Sequence, residues 1–136
     1  MDLYSFITHH DPTLNLHIEK EFPGNRCVGG KYSPSSHSIT LYQRDIEIQC
    51  DRMFHSLEHL EEYTWIVFAH ELGHAMDSEL ELLSDVYDST LNTEILYRIE
   101  ENAWDIAEQL IPFIDKKIFD KVRRASLEPY RPILVV

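Results

Sequence analysis

No run of apolar residues in the 136-residue chain approaches the roughly 18–20 that a membrane-spanning helix needs, which excludes that class on hydropathy alone. The opening Met1-Asp2-Leu3-Tyr4-Ser5 has no positive region leading into an apolar stretch, so no secretory signal is expected. Cysteine is scarce. Cys27 and Cys50 form no CxxC-type spacing, and without a secretory signal they read as reduced thiols of a cytoplasmic protein, neither a disulfide nor a cysteine metal site. Positive charge is also short: 12 Lys and Arg stand against 24 Asp and Glu, for a net charge of −12. Phosphate backbones are bound through clustered cations, so a dedicated nucleic-acid binder is excluded. Internal repeats and low-complexity segments are absent too, and no histidine follows His74.

What remains is an ordinary core-forming composition, 43% hydrophobic, at a length that suits one domain over residues 1–136. The charge is unevenly placed. Residues 115–136 hold six basic side chains (Lys116, Lys117, Lys121, Arg123, Arg124 and Arg131) against Asp115, Asp120 and Glu128, so the acidic excess lies in the preceding 114 residues. The basic end reads as a solvated helix face more readily than a docking patch, and the acidic body favours neutral or basic partners.

Along the chain, residues 1–35 read as irregular, with a weakly marked helix near residues 2–9 and turn signals at Asp11-Pro12, Pro23-Gly24-Asn25 and Gly29-Gly30. Ser38-Ile39-Thr40-Leu41-Tyr42 alternates polar and apolar residues, as an edge-type strand does. Joined through residues 33–37 to a short strand at 29–32, it would form a hairpin. Helical periodicity runs from about residue 56 to 80 and again over 94–111, the second stretch capped by Asn92 or Thr93 and closed by Pro112. Residues 81–91 read as a loop, 115–125 as a short helix, and 133–136 as an extended apolar tail.

The most informative segment is His70-Glu71-Leu72-Gly73-His74, an HExxH within the first long helix. Residues four apart lie one turn apart on one face, so both imidazoles can grip one ion, for which zinc is suited. Glu71 sits about 100° around the helix, beside the ion, where it can take a proton from a water. Trp65-Ile66-Val67-Phe68-Ala69 ahead of the motif makes this helix buried, and buried histidines and carboxylates need partners. Gly73, costly by roughly 1 kcal/mol in a helix interior, implies that something packs closely there.

Two histidines leave zinc a ligand short. A third histidine six residues after His74 would complete a metzincin site, but Leu80 stands there. On the second long helix Glu100 shares a face with Leu96, Ala103, Trp104, Ala107 and Ile111, whereas Glu101 shares one with Glu94, Arg98, Asp105 and Glu108. A carboxylate centred on an apolar stripe calls for a cation, so Glu100 is the expected third ligand. Ala103, one turn on, is small enough to let the two helices approach.

With HELGH followed by Glu100-x-x-Ala103, Ile106-Ala107 and Leu110-Ile111-Pro112, the chain resembles the gluzincin metallopeptidases, and more narrowly the ImmA/IrrE family of bacterial and phage zinc peptidases, over about residues 28–112. The resemblance implies an α+β, minimal zincin fold: a small antiparallel sheet or hairpin on a helical core that carries the HExxH helix and a second ligand-bearing helix. It implies a Zn²⁺ enzyme of the cytoplasm that cuts one regulatory protein, typically a phage or mobile-element repressor, with His70, His74 and Glu100 as ligands and Glu71 as base. Trp104 departs from the pattern, since gluzincins often place Asp or Asn there to support a histidine. Asp77, Asp85 and Asp105 are the alternatives for that support. Tyr97, Tyr130 and His37 are the candidates for stabilising an oxyanion, and the 38–42 strand for pairing with substrate. Rival expectations are a zincin-fold module that sequesters a partner protein without cleaving it, and a metal-free helical interaction protein.

Overall fold

A computed structural model describes residues 2–131, and they form an α+β fold: six helices and a three-stranded mixed sheet among the described residues. The chain opens with α1 (Leu3–His10), whose first turn is capped by Asp2, its carboxylate accepting from the Ser5 amide at 2.7 Å. Three strands follow: β1 (Asn15–Glu19), β2 (Gly30–Ser33) and β3 (Ser38–Tyr42). The expected hairpin is present as the antiparallel β2–β3 pair, while β1, in a stretch read as irregular, lies parallel to β3.

The sheet order β1-β3-β2 corrects one expectation. Ser38–Tyr42 is the central strand, not an edge, and all five of its residues are buried. Its alternation is real, with Ile39 and Leu41 turned into the core, but flanking strands cover the polar positions as well. The open edges are β1 and β2. A buried carboxylate on the next helix secures the approach to β2, since Asp45 accepts from the amides of Phe22 (3.0 Å) and Val28 (2.8 Å).

That helix, α2 (Gln43–Phe54), was not expected, because only Asp45, Ile46 and Cys50 of its length are buried. It ends at His55, which is left-handed at φ 59°. The motif helix α3 (Leu60–Met76) starts four residues later than its periodicity suggested and is buried on several sides. Ile66, Phe68, Ala69 and Leu72 are fully excluded from solvent, each larger side chain among them contributing about 1.5–3 kcal/mol by burial. A loop was expected next. Instead α4 (Leu80–Thr90) forms, and with Leu83 alone buried it leaves little periodic signal to read.

α5 (Thr93–Leu110) is capped by Asn92, whose side chain accepts from the Glu94 amide at 2.9 Å, and it stops just ahead of Pro112. α6 (Lys116–Leu127), capped by Asp115, passes into a 3₁₀ turn at Glu128–Tyr130. The expected extended tail at 133–136 lies outside the described residues. A single apolar cluster joins α1, β3, α2, α3, α5 and α6, with α3 at its centre. Among the described residues no helix is long and apolar enough to cross a membrane.

Candidate metal centre

His70 and His74 lie one turn apart at the C-terminal end of α3, their ring centroids separated by 4.7 Å. The partner element is α5, and the two helices touch at Gly73. A Cβ there would lie 2.2 Å from the Ala103 carbonyl oxygen, a distance no side chain tolerates, so glycine is the condition for this crossing. The crossing carries Glu100 over the histidines. One of its carboxylate oxygens lies 3.1 Å from His70 Nε2 and the other 3.1 Å from His74 Nε2. Each contact is a hydrogen-bond distance to a different oxygen of the carboxylate, which Glu100 thereby shares between the two imidazoles.

Glu71 is the second carboxylate. Its Oε2 lies 3.1 Å from His70 Nδ1, on the far side of that ring from Glu100. His70, Glu71 and His74 each offer a ligand atom within 4.8 Å of the others, so Glu71 competes with Glu100 for a ligand's role. The nitrogens distinguish them: Glu100 spans both Nε2 atoms, while Glu71 meets the opposite nitrogen of one ring. All four side chains are at most 16% exposed.

Burial disfavours the charged form of His70, but the Glu71 charge and hydrogen bonds to Glu100 and Glu71 outweigh it and raise its pKa to about 9. Burial likewise opposes ionised Glu100, and the hydrogen bonds from His70 and His74 prevail, lowering it to about 2. With both of its nitrogens facing carboxylate oxygens, His70 is held as the imidazolium. Two carboxylates therefore converge on one positive charge, which compensates their burial. His74 Nδ1 is buried without a hydrogen-bond partner among the described residues.

Trp104 has a part that sequence reasoning missed. Its indole stacks on the His70 imidazole at 4.4 Å between centroids and 13° between planes, so packing holds the ring where a carboxamide or carboxylate was expected. None of the three aspartates considered for that support supplies it. Asp77 bonds the Glu79 amide and Asn102, Asp105 pairs with Arg123, and Asp85 makes no contact with either histidine among the described residues.

Two cavities of about 350 and 290 Å³ meet at the centre. The first is bounded by β2, Leu80 and Ile99. The second is floored by Tyr63, Val67, Trp104 and Val122, with Gln49 and Arg26 on its wall. Gly30 on β2 packs against Glu71, a Cβ there meeting the Glu71 Cγ at 3.1 Å. Of the candidate oxyanion donors, His37 is occupied by Tyr32 (3.1 Å) and Asp11 (2.9 Å), Tyr97 packs against the core, and Tyr130 lines both cavities. Another cavity of about 340 Å³, between α1, β1 and α2, has Glu47 as its one charged residue and brings no reactive groups together.

No family model matches the chain, and neither a curated protein nor a solved structure matches it. The functional reading therefore stands on the residues themselves.

Proposed function

We propose that the protein is a zinc-dependent endopeptidase of gluzincin type, resembling the ImmA/IrrE peptidases, that hydrolyses a peptide bond in a regulatory protein such as a DNA-binding repressor. The observation that carries the proposal is the Glu100 carboxylate set across the Nε2 atoms of His70 and His74, 3.1 Å from each, at a glycine-dependent helix crossing. In this reading His70, His74 and Glu100 hold the ion. When bound, zinc supplies Lewis acidity and lowers the pKa of a water towards about 7.

The remaining steps fall to the chain. With Nε2 committed to the cation, neutral His70 keeps its proton on Nδ1 and donates it to Glu71 Oε2, which orients that carboxylate and leaves Oε1 to accept from the attacking water. Glu71 later returns the proton to the leaving amine. Gly30 lets β2 pack directly on Glu71, since a Cβ there would meet Glu71 Cγ, Leu41 and Val67 at 3.1 Å each. The open edge of β2 offers main-chain hydrogen bonds to an extended segment, a role first expected of Ser38–Tyr42, which is enclosed between two strands. Two cavities adjoining the centre give a chain room to extend beyond the cleaved bond, which favours internal cleavage. The acidic body favours neutral or basic segments.

Incubating zinc-loaded and chelator-stripped protein with repressors encoded beside it tests this reading. Discrete fragments that appear with zinc and vanish on chelation support it. Tight binding of such a partner by the zinc-loaded protein, without cleavage, would replace it with sequestration.

A further inference from the structure

The two cavities that meet at the centre share four residues: Gly30, His70, Glu71 and Tyr130. In the peptidase reading the scissile bond lies beside His70 and Glu71, which places it at that junction. His70 and Glu71 already have parts in the proposed hydrolysis, as cation ligand and base, and Gly30 is the point where β2 packs on Glu71. Tyr130 is the fourth, and it comes from a region remote from the motif helices.

Its placement is built. The 3₁₀ turn Glu128–Tyr130 follows α6 and packs on both α6 and α5, the helix that carries Glu100. The turn is closed by the Arg131 amide donating to the Glu128 carbonyl at 3.2 Å, and by an Arg131–Glu128 ion pair at 3.3 Å. The phenol hydroxyl has no hydrogen-bond partner among the described residues. Tyr130 is 38% exposed, and a phenol keeps its proton at neutral pH.

We infer that Tyr130 is a catalytic hydrogen-bond donor whose O–H meets the scissile carbonyl oxygen as that oxygen gains negative charge. The inference rests on the peptidase reading and names the donor which that reading requires. As water adds to the carbonyl carbon, the π electrons move to oxygen and Glu71 takes the water's proton. When the C–N bond breaks, that proton leaves with the amine. Tyr130 keeps its own proton throughout, so it acts by stabilising charge.

Tyr130→Phe in the full, zinc-loaded chain tests this, with Tyr130→His as a variant that restores a donor. The probes are a quenched-fluorescence heptapeptide library and a phosphinic peptide, whose anionic tetrahedral phosphorus imitates the hydrated amide. Tyr130→Phe should keep zinc affinity and thermal midpoint, lose about 10²-fold in kcat with KM within about twofold, and bind the phosphinic peptide about tenfold more weakly, and Tyr130→His should recover part of each loss. Unchanged kcat and phosphinic affinity in Tyr130→Phe, beside an active wild type, would overturn the inference and leave the peptidase reading standing. Loss of zinc or of thermal stability would assign Tyr130 a structural part and also overturn it. A zinc-loaded wild type that neither cleaves the library nor binds the phosphinic peptide would remove both readings.

Discussion

Two clusters of opposite charge tie α5 to its neighbours, one inside and one outside. Across the inner face, Glu100 meets His70 and His74 of α3, with Glu71 behind, and no side chain in the group exceeds 16% exposure. Across the outer face, Asp105 and Glu108 meet Arg123 of α6, and Glu108 also meets Lys116, whose side chain is 73% exposed. Both join helices through paired charges at similar distances. Solvent separates their consequences. The outer pairs engage Lys116 and Arg123 of the basic C-terminal helix. The inner group raises the pKa of His70 to about 9 and lowers that of Glu100 to about 2. Charge pairing is therefore no mark of function in itself; pairing with water removed, which shifts the protonation of the groups involved, is what sets the inner group apart.

The strongest test of that contrast is in zinc affinity. Glu100→Ala should weaken zinc binding by about 10²-fold or more, while Glu101→Ala on the same helix should change it by less than about twofold. Equal losses in a chelator-competition titration would break the distinction between the two faces. Gly73→Ala comes next. The added methyl must drive α3 from the Ala103 carbonyl, costing about 1–3 kcal/mol in denaturant unfolding and loosening zinc binding as Glu100 withdraws. A variant as stable as wild type would mean that the helices need no glycine to cross.

The effect of pH is smaller and differs between metal-free and loaded protein. In the metal-free chain the folded pKa of His70 is raised to about 9 from 6.5, so its contribution to stability is complete below pH 6.5 and is lost as pH rises through 9. Glu100 is lowered to about 2 from 4.5, so its contribution is complete above pH 4.5 and is lost as pH falls through 2. Thermal midpoints of the stripped protein should therefore be highest between about pH 4.5 and 6.5 and decline towards 9, while zinc, which replaces the proton on His70, should flatten the alkaline side. An alkaline decline that zinc leaves untouched would contradict the shared-cation account. The smallest effect is expected outside: Arg123→Ala should cost about 1 kcal/mol or less and leave zinc affinity unchanged.

The sequence is most legible where chemistry and periodicity coincide over a few turns. HELGH shows itself because ligand spacing and helix geometry are local, and Glu100 is placed inward by the apolar residues around it on one helix. Gly73 betrayed a close approach, though only the fold identifies the Ala103 backbone as the neighbour. Sheet order depends on pairing between distant segments, so the alternation of Ser38–Tyr42 said nothing of its central position or of β1 beside it. α4 escaped notice because a helix with one buried residue has almost no apolar stripe. Neither the stacking of Trp104 on His70 nor the place of Tyr130 at the cavity junction follows from spacing, since each depends on how separate helices come together.

The measurement closest to the central claim is a comparison of wild type with Glu71→Gln, with zinc content and hydrolysis of the same repressor substrate followed on the same samples. The account predicts one zinc per chain in both proteins and a loss of about 10³-fold or more in hydrolysis for Glu71→Gln. A Glu71→Gln protein that holds zinc and cleaves at the wild-type rate would contradict it.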